Sequence, residues 1–321
     1  MFPGHPLLLP IPGLARVLAA TVEAGMLIRR GRRYDWKSYG VSLVDMLGRG
    51  FVHRLLGGGI AALLLYAVSR VRMAEWAMDR AWQWGVLIVG QEFCYYWMHR
   101  AGHRVRWFWL NHAVHHSPSD YTLAAAYRLG WSSPVTGAAL FFAPLVLLGF
   151  PVPYVLAALG LNLFFQFWLH TELIGRLPGW VEYVFNTPAH HRIHHASNPE
   201  YLDCNYGGML IVFDRLFGSF RAGVSGVPPR YGLTDPVRGH NPLRVEFHAW
   251  IGMFAALRRA HGPGAVLRVL FGPPGAACPM PVRHIAVTRT AQAPVQRPAG
   301  VVGAGAAAEQ DGGGREWPRP D

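Results

Sequence analysis

Long apolar runs, not an alternation of apolar and polar positions, dominate the first half of the chain, and five of them matter. The first runs from about Leu7 to Ile28 and is interrupted by prolines and by Arg16 and Glu23. The second, LLGGGIAALLLYAVS (55–69), reaches the roughly 20 residues that a membrane span prefers only with its flanks. The third, WQWGVLIVGQEFCYYWM (82–98), leads directly into His99. The fourth and fifth, near 135–150 and 152–169, are joined by GFPVP, a tight turn that predicts a helical hairpin. The pattern predicts an all-α protein, an integral membrane helical bundle of about four or five spans. Arginines flank these runs in RRGRR (29–33), at Arg54, Arg70 and Arg72, and in HRAGHRVR (99–106). Basic loops stay in the cytoplasm, so RRGRR sets the orientation. Counting crossings from there brings His99 and His170 to the same cytoplasmic side, in a helical cap.

Past about residue 220 the texture changes. NPLRVEFHAWIGMFAALRRA (241–260) reads as an amphipathic helix that lies on the membrane or packs on the catalytic face. From about 285 the chain is small and polar and ends EQDGGGREWPRPD, the composition of a disordered tail. The expected divisions are N-terminal membrane segments at 1–80, a catalytic segment at 81–235, an amphipathic region at 236–284 and the tail at 285–321. Charged residues make up only 15% of the chain, against about 25% in soluble domains, and hydrophobic residues 51%. The formal charge of +12 does not indicate nucleic acid, because the arginines sit at the ends of apolar runs, where they set topology and attract anionic headgroups. Cys94, Cys204 and Cys278 form no CxxC, so a reducing, cytoplasm-facing environment is expected, without disulfides. No basic region precedes the first apolar stretch, so a cleaved signal peptide is not expected.

The chemistry lies in the histidines. Of 16, ten fall between positions 99 and 195: His99, His103, His112, His115, His116, His170, His190, His191, His194 and His195. HRAGH puts His99 and His103 one helical turn apart, and HAVHH and HRIHH are both H-x-x-H-H, so each box shares a helix face. His99 and His112 lie 13 residues apart, which on one continuous helix would leave them roughly 220° apart at about 100° per residue. For both to reach one centre the helix must break, and Gly102 with the polar HRVR after it is the expected place. His5, His53, His240, His248, His261 and His284 are isolated and read as surface or satisfied core residues. Nine or ten imidazoles are too many for one tetrahedral zinc, and the H-E-x-x-H of zinc proteases is absent. They suit two metal ions with open positions, and iron accepts imidazole. Two irons with open positions at a lipid boundary predict oxidation of a lipid C–H bond by dioxygen. The rival reading is transport or storage of divalent metal. A transporter would place its ligands mid-span on broken helices, whereas these boxes sit at span ends.

HRAGH, HAVHH and HRIHH in this order, with EFCYYWMHR before and LDCNYGGMLIVFDRLFGSF after, resemble the fatty acid hydroxylase/sterol desaturase superfamily of membrane non-heme diiron enzymes. The resemblance covers roughly residues 80–235. Within it, FWLHTELIGRLPGWVEYVFNTPAHHRIHHASN looks most like the alkylglycerol monooxygenase group and its bacterial relatives. It implies iron ligation by His99, His103, His112, His115, His116, His191, His194 and His195, with His170 of LHTE as a ninth ligand. His190 falls outside the H-x-x-H-H register and is expected beside the metals or as an alternative ligand. Glu92 stands where the family often has Asp; seven residues before His99, on the same face, it is expected to orient a ligand imidazole. Asn205 and the YGG after it are expected to form a tight turn that closes the site. Arg128 is a candidate for holding a lipid headgroup or carboxylate, or for anchoring at the interface. Asn162 and Gln166 are candidates for lining a substrate channel or for bonding between helices. The implied reaction is hydroxylation or desaturation of an alkyl C–H bond of a lipid, with two iron ions, dioxygen and external electrons. The chain carries no flavin, nicotinamide or haem motif, so a cytoplasmic electron-donor protein or a pterin is expected to supply the electrons. The implied location is a bacterial-type inner membrane.

Overall fold

A computed structural model describes residues 10–56 and 59–275. All of them fall in the first of two units, Met1–Pro279; the second, Met280–Asp321, lies outside the described residues. The expected disordered tail, His5, Cys278 and His284 therefore lie outside them too.

The described chain is helical and contains no strand, only the isolated bridges Phe185–Leu210 and Ala196–Tyr231. Helices α1 (Pro10–Arg29), α2 (Trp36–Leu55) and α3 (Gly59–Ser69) precede α4 (Ala81–Arg104) and α5 (Arg106–His115). A 3-10 turn at Leu123–Tyr127 leads to α6 (Ser133–Thr136), a second at Ala138–Phe142 to α7 (Ala143–Leu147), and α8 (Val152–Phe167) follows. The short α9 (Gly179–Val184), α10 (Pro188–His194) and α11 (Val212–Leu216) come next, then α12 (Pro242–Leu257) and α13 (Pro263–Phe271).

No described helix by itself is long and apolar enough to cross a membrane; α2 and α3 meet that test only as a pair, bent by 50°. The fourth apolar run is not the single span its composition suggested. Gly137, at φ +75°, ends α6, and Gly149, at φ +104°, closes the turn after α7. A side chain at Gly149 would meet the Ala74 carbonyl oxygen at 2.3 Å, so the GFPVP turn requires glycine twice over. In α1, Glu23 is buried and binds the Leu123 amide (2.6 Å) and the Thr171 hydroxyl, which explains a carboxylate inside an apolar run.

Helices α4 and α8 share a core of Leu87, Tyr95, Val155 and Ala158 with Phe142 and Leu145. Helix α12, capped by Asn241, covers α5 through Leu110, Met253 and Ala256, with Val269 of α13. Helix α12 thus packs on the histidine-bearing helix α5, while its Leu243, Phe247, Ile251 and Phe254 remain exposed.

Candidate metal centre

Four pieces of chain deliver imidazoles to one place. The C-terminal end of α4 carries His99 and, one turn later, His103. Val105, extended at φ −122° and ψ 118°, then breaks the helix, so the turn expected after Gly102 is present. Helix α5 restarts at Arg106 and carries His112 and His115, with His116 as its cap. His170 follows α8, and α10 carries His191 and His194, with His195 as its cap.

The nine sort into two groups. His99, His103, His112, His116 and His194 form one; His115, His170, His191 and His195 form the other. Within each group all the ligand atoms lie within 4.8 Å of one another. Each H-x-x-H-H box serves both. His112 and His116, an i, i+4 pair, go to the five-histidine group while His115 goes to the four-histidine group. In the second box His191 and His195 go to the four-histidine group and His194 to the other. On a helix the i+3 residue points about 60° to one side of residue i and the i+4 residue about 40° to the other, so one short box reaches two adjacent groups.

The nitrogens are oriented for metal. Backbone carbonyls accept hydrogen bonds from Nδ1 of His99 (Tyr206, 2.8 Å), His115 (Arg128, 2.8 Å), His170 (Gln166, 2.9 Å) and His194 (Cys204, 2.8 Å). A carbonyl only accepts, so Nδ1 carries the proton in each and Nε2 is a bare lone pair. Nε2 of His115 and His170 then face each other at 3.3 Å with no proton between them. His194 Nε2 is buried with no hydrogen-bond partner at all. Such lone pairs repel unless a cation sits among them. His112 Nε2 lies 3.0 Å from His99, 3.0 Å from His103 and 3.1 Å from His116. Ligands about 2.1 Å from one ion and at right angles would stand about 3.0 Å apart, so the donor set fits a metal. Burial holds the imidazoles neutral, pushing His115 down to about 4 and His170 to about 3, the form a metal requires.

The other expected residues surround the groups without joining them. Glu92 hydrogen-bonds no imidazole among the described residues. Its carboxylate accepts from Asn162 Nδ2 and from the amides of Met209 (2.8 Å) and Leu210 (3.0 Å). It thereby fixes the loop whose Tyr206 carbonyl orients His99, so its influence on the ligand passes through the backbone. Asp214 secures the same loop through the Tyr206 and Gly207 amides, both at 2.7 Å. Asn162 and Gln166 bond to each other, and Tyr95 donates to Gln166 Oε1 at 3.1 Å, so these amides tie α8 to α4. Arg128 does not offer its guanidinium to a ligand. It is buried and bonds Ser42 Oγ, Ser117 Oγ and the carbonyl and hydroxyl of Ser38, because α2 packs over it. His190 stands in neither group; its ring packs on Phe220 at 5.3 Å. Asn205, at φ +55°, bonds the His190 and Arg221 carbonyls and the Arg221 amide, which makes it the turn-former expected.

Two neighbours of the ligands carry no signal in the spacing. Asp203 Oδ1 stands 3.6 Å from His103 Nδ1, and its other oxygen binds Arg104 at 2.9 Å. Tyr121 stacks on His170 at 5.7 Å.

The sequence profile of the fatty acid hydroxylase family matches residues 84–219, a stretch that contains all nine imidazoles. Alkylglycerol monooxygenase of Homo sapiens is 37% identical over 211 residues, 66% of this chain and 46% of that protein. The Xenopus tropicalis alkylglycerol monooxygenase is 34% identical over 255 residues, 75% of this chain and 55% of that protein. An ornithine lipid hydroxylase of Rhizobium tropici is 32% identical over 161 residues, 50% of this chain and 46% of its own length. The chain thus spans about half the length of these relatives. No solved structure matches it significantly. With its histidine boxes inside the matched stretch, the chain contains a segment that matches the fatty acid hydroxylase family and is similar to lipid hydroxylases and monooxygenases of that superfamily.

Proposed function

We propose that this protein is a membrane-bound oxidoreductase that hydroxylates an alkyl C–H bond of a lipid, with two irons held by the nine imidazoles. The observation that carries the reading is the pair of bare Nε2 atoms on His115 and His170, 3.3 Å apart and buried. When bound, the irons supply activation of dioxygen. The chain's own part is to hold five imidazoles on one ion and four on the other, neutral and shielded from water. Fewer protein ligands leave the four-histidine position more open, and open positions are where oxygen and substrate meet a metal.

The surface supports a lipid setting. Leu14, Leu18, Val22 and Met26 form an exposed stripe along α1, and Trp82, Val86, Val89, Phe93 and Trp97 form another along α4. Contiguous apolar faces of this extent belong against lipid or protein. Arg32 pairs with Glu172, two residues past His170, so the basic loop and the centre share one side of the bundle. That supports a cytoplasm-facing centre in a bacterial-type inner membrane, with a basic face for an electron-donor protein; a pterin is the other candidate reductant. The names of the relatives favour hydroxylation over desaturation and a lipid with a polar headgroup.

The test is elemental analysis of detergent-purified protein with Mössbauer spectra after growth on iron-57. Two irons per chain with a coupled diferric signal, and oxygen uptake by the reduced protein, are expected. Zinc in correctly metallated preparations, or a single loosely held ion without oxygen uptake, would overturn the reading and return the metal-transport alternative.

A further inference from the structure

The four-histidine group is joined to the surface by a chain of rings. Tyr121, 3% exposed, stacks on His170 with centroids 5.7 Å apart and planes 24° apart, and lies 5.3 Å from His195. Tyr121 also stacks on Tyr231, at 4.9 Å and 19°. Tyr231 is half-buried and held by the Ala196–Tyr231 bridge, one residue past His195. Its hydroxyl donates to Glu172 Oε1 at 3.0 Å, and Glu172 pairs with Arg32, whose side chain is 52% exposed. Two imidazoles, two phenols and a carboxylate thus run in unbroken contact from the centre to solvent.

The hydrogen bonds distinguish this path from the other rings nearby. Tyr206 lies 5.3 Å from His103, but its hydroxyl is buried and has no partner. Tyr121 itself donates only to the Leu169 carbonyl, at 3.0 Å, which is no base. Tyr231 faces a carboxylate, so it alone of the three has a place to send its phenolic proton when it gives up an electron. A phenol so placed yields an electron only to a strong oxidant. It is therefore unsuited to carry electrons inward from a weak donor, and suited to carry oxidising equivalents outward.

We propose that Tyr121 and Tyr231 form a one-electron relay that drains oxidising equivalents from the four-histidine position when oxygen is activated with no substrate bond to attack. The proposal rests on the oxygenase reading above. Reduction of dioxygen to two waters takes four electrons and four protons. Two electrons come from the irons as they pass from ferrous to ferric. In productive turnover the other two come from the C–H bond; without substrate, the relay supplies them singly. In each passage an electron leaves the Tyr231 ring through Tyr121, and the phenolic proton crosses to Glu172. An external one-electron reductant, a thiolate or ascorbate, then returns the electron at the surface, and Glu172 returns the proton. The protons that form water come from solvent.

The experiment uses the full-length, iron-loaded protein, reduced anaerobically and mixed with oxygen in the absence of lipid. Oxygen uptake is followed together with rapid-freeze EPR on protein made with ordinary and with ring-deuterated tyrosine. The expected result is an organic radical whose hyperfine lines collapse on deuteration. Tyr231→Phe should abolish the radical and shorten the number of uncoupled cycles before inactivation several-fold, with iron content unchanged. Tyr121→Phe and Glu172→Gln should weaken the radical in the same sense. Oxygen uptake with no tyrosine radical, or a radical and lifetime untouched by Tyr231→Phe, would overturn the relay while leaving the oxygenase standing. No oxygen uptake by iron-loaded protein would remove both.

Discussion

The two histidine groups share both H-x-x-H-H boxes but live in different surroundings. All four imidazoles of the smaller group are buried, and its flank is aromatic, with Tyr121 against His170 and His195. The larger group borders charge. Asp203 and Arg104 pair beside His103, and both reach solvent, with side chains 37% and 54% exposed. In the proposed reading, five imidazoles with a carboxylate at hand make one position saturated and electron-rich, and four with ring neighbours make the other more open and more oxidising. The difference teaches that each H-x-x-H-H box can divide its imidazoles between two unlike groups, because its i+3 and i+4 members lie on opposite sides of residue i.

The largest effects should come from breaking one group at a time. His112 is the hub of the larger group, with three other Nε2 atoms 3.0–3.1 Å away. In the smaller group His191 stands 3.2 Å from both His170 and His195. His112→Ala and His191→Ala should each leave about one metal per chain and abolish turnover, and the double variant should bind none. Elemental analysis checks this directly. A single variant that kept both metals, or lost both, would dissolve the division into two groups.

Glu92 should rank next. Replacing it by Ala strands the Asn162 amide and the backbone amides of Met209 and Leu210. Each unsatisfied buried donor costs about 1–3 kcal/mol. Because that loop carries the Tyr206 carbonyl, metal should leave the five-histidine group before the other. Thermal unfolding with iron analysis would show it, and Glu92→Gln, which keeps one acceptor, should fall between. Equal loss from both groups would mean that Glu92 supports the fold alone.

Acid gives a smaller and graded test. His115 and His170 have folded pKa values of about 4 and about 3, below the usual value near 6.5, because burial disfavours the charged ring. Between those values the unfolded chain binds more protons than the folded one. Stability of the metal-free protein should therefore be fully present above about pH 6.5 and decline as the pH falls toward 4. Metal affinity should decline in the same direction, since protons compete for Nε2. A melting temperature indifferent to pH between 7 and 5 would show that these rings are not held neutral in the folded state.

What was legible in the chain was what lies within one helical turn. The boxes, the break after Gly102 and the turn at Gly149 follow from local spacing and from glycine's conformational freedom, so pattern alone reaches them. The role of Arg128 was not, because an arginine between apolar runs looks the same whether it meets a headgroup or three serines, two of them 86 and 90 residues away and the third 11 residues away. Glu92 shows the same limit. Its helical phase toward His99 was right, but the loop at 209–210 reached it first. The fourth apolar run has the composition of a span, yet Gly137 and the close approach at Ala74 bend it into short pieces. The acceptors that aim the imidazoles are backbone carbonyls, which have no side-chain identity to read.

The smallest expected effect is the one that separates the two centres best. Asp203→Asn removes a negative charge 3.6 Å from His103 Nδ1 and leaves every imidazole in place. Both metals should stay bound, since no ligand is lost and half-exposed charges contribute little to stability. A carboxylate facing the far nitrogen raises the basicity of a ligand imidazole. Its removal should therefore shift the Mössbauer parameters of one iron and leave the other unmoved, because among the described residues no carboxylate pairs with a ring of the four-histidine group, where Nδ1 of His115 and His170 bonds backbone carbonyls. If both irons moved together, the charge would be felt across the pair, and the two positions would have to be treated as one electronic unit. If neither moved, Asp203 would serve Arg104 alone, and the asymmetry between the groups would reduce to their ligand count.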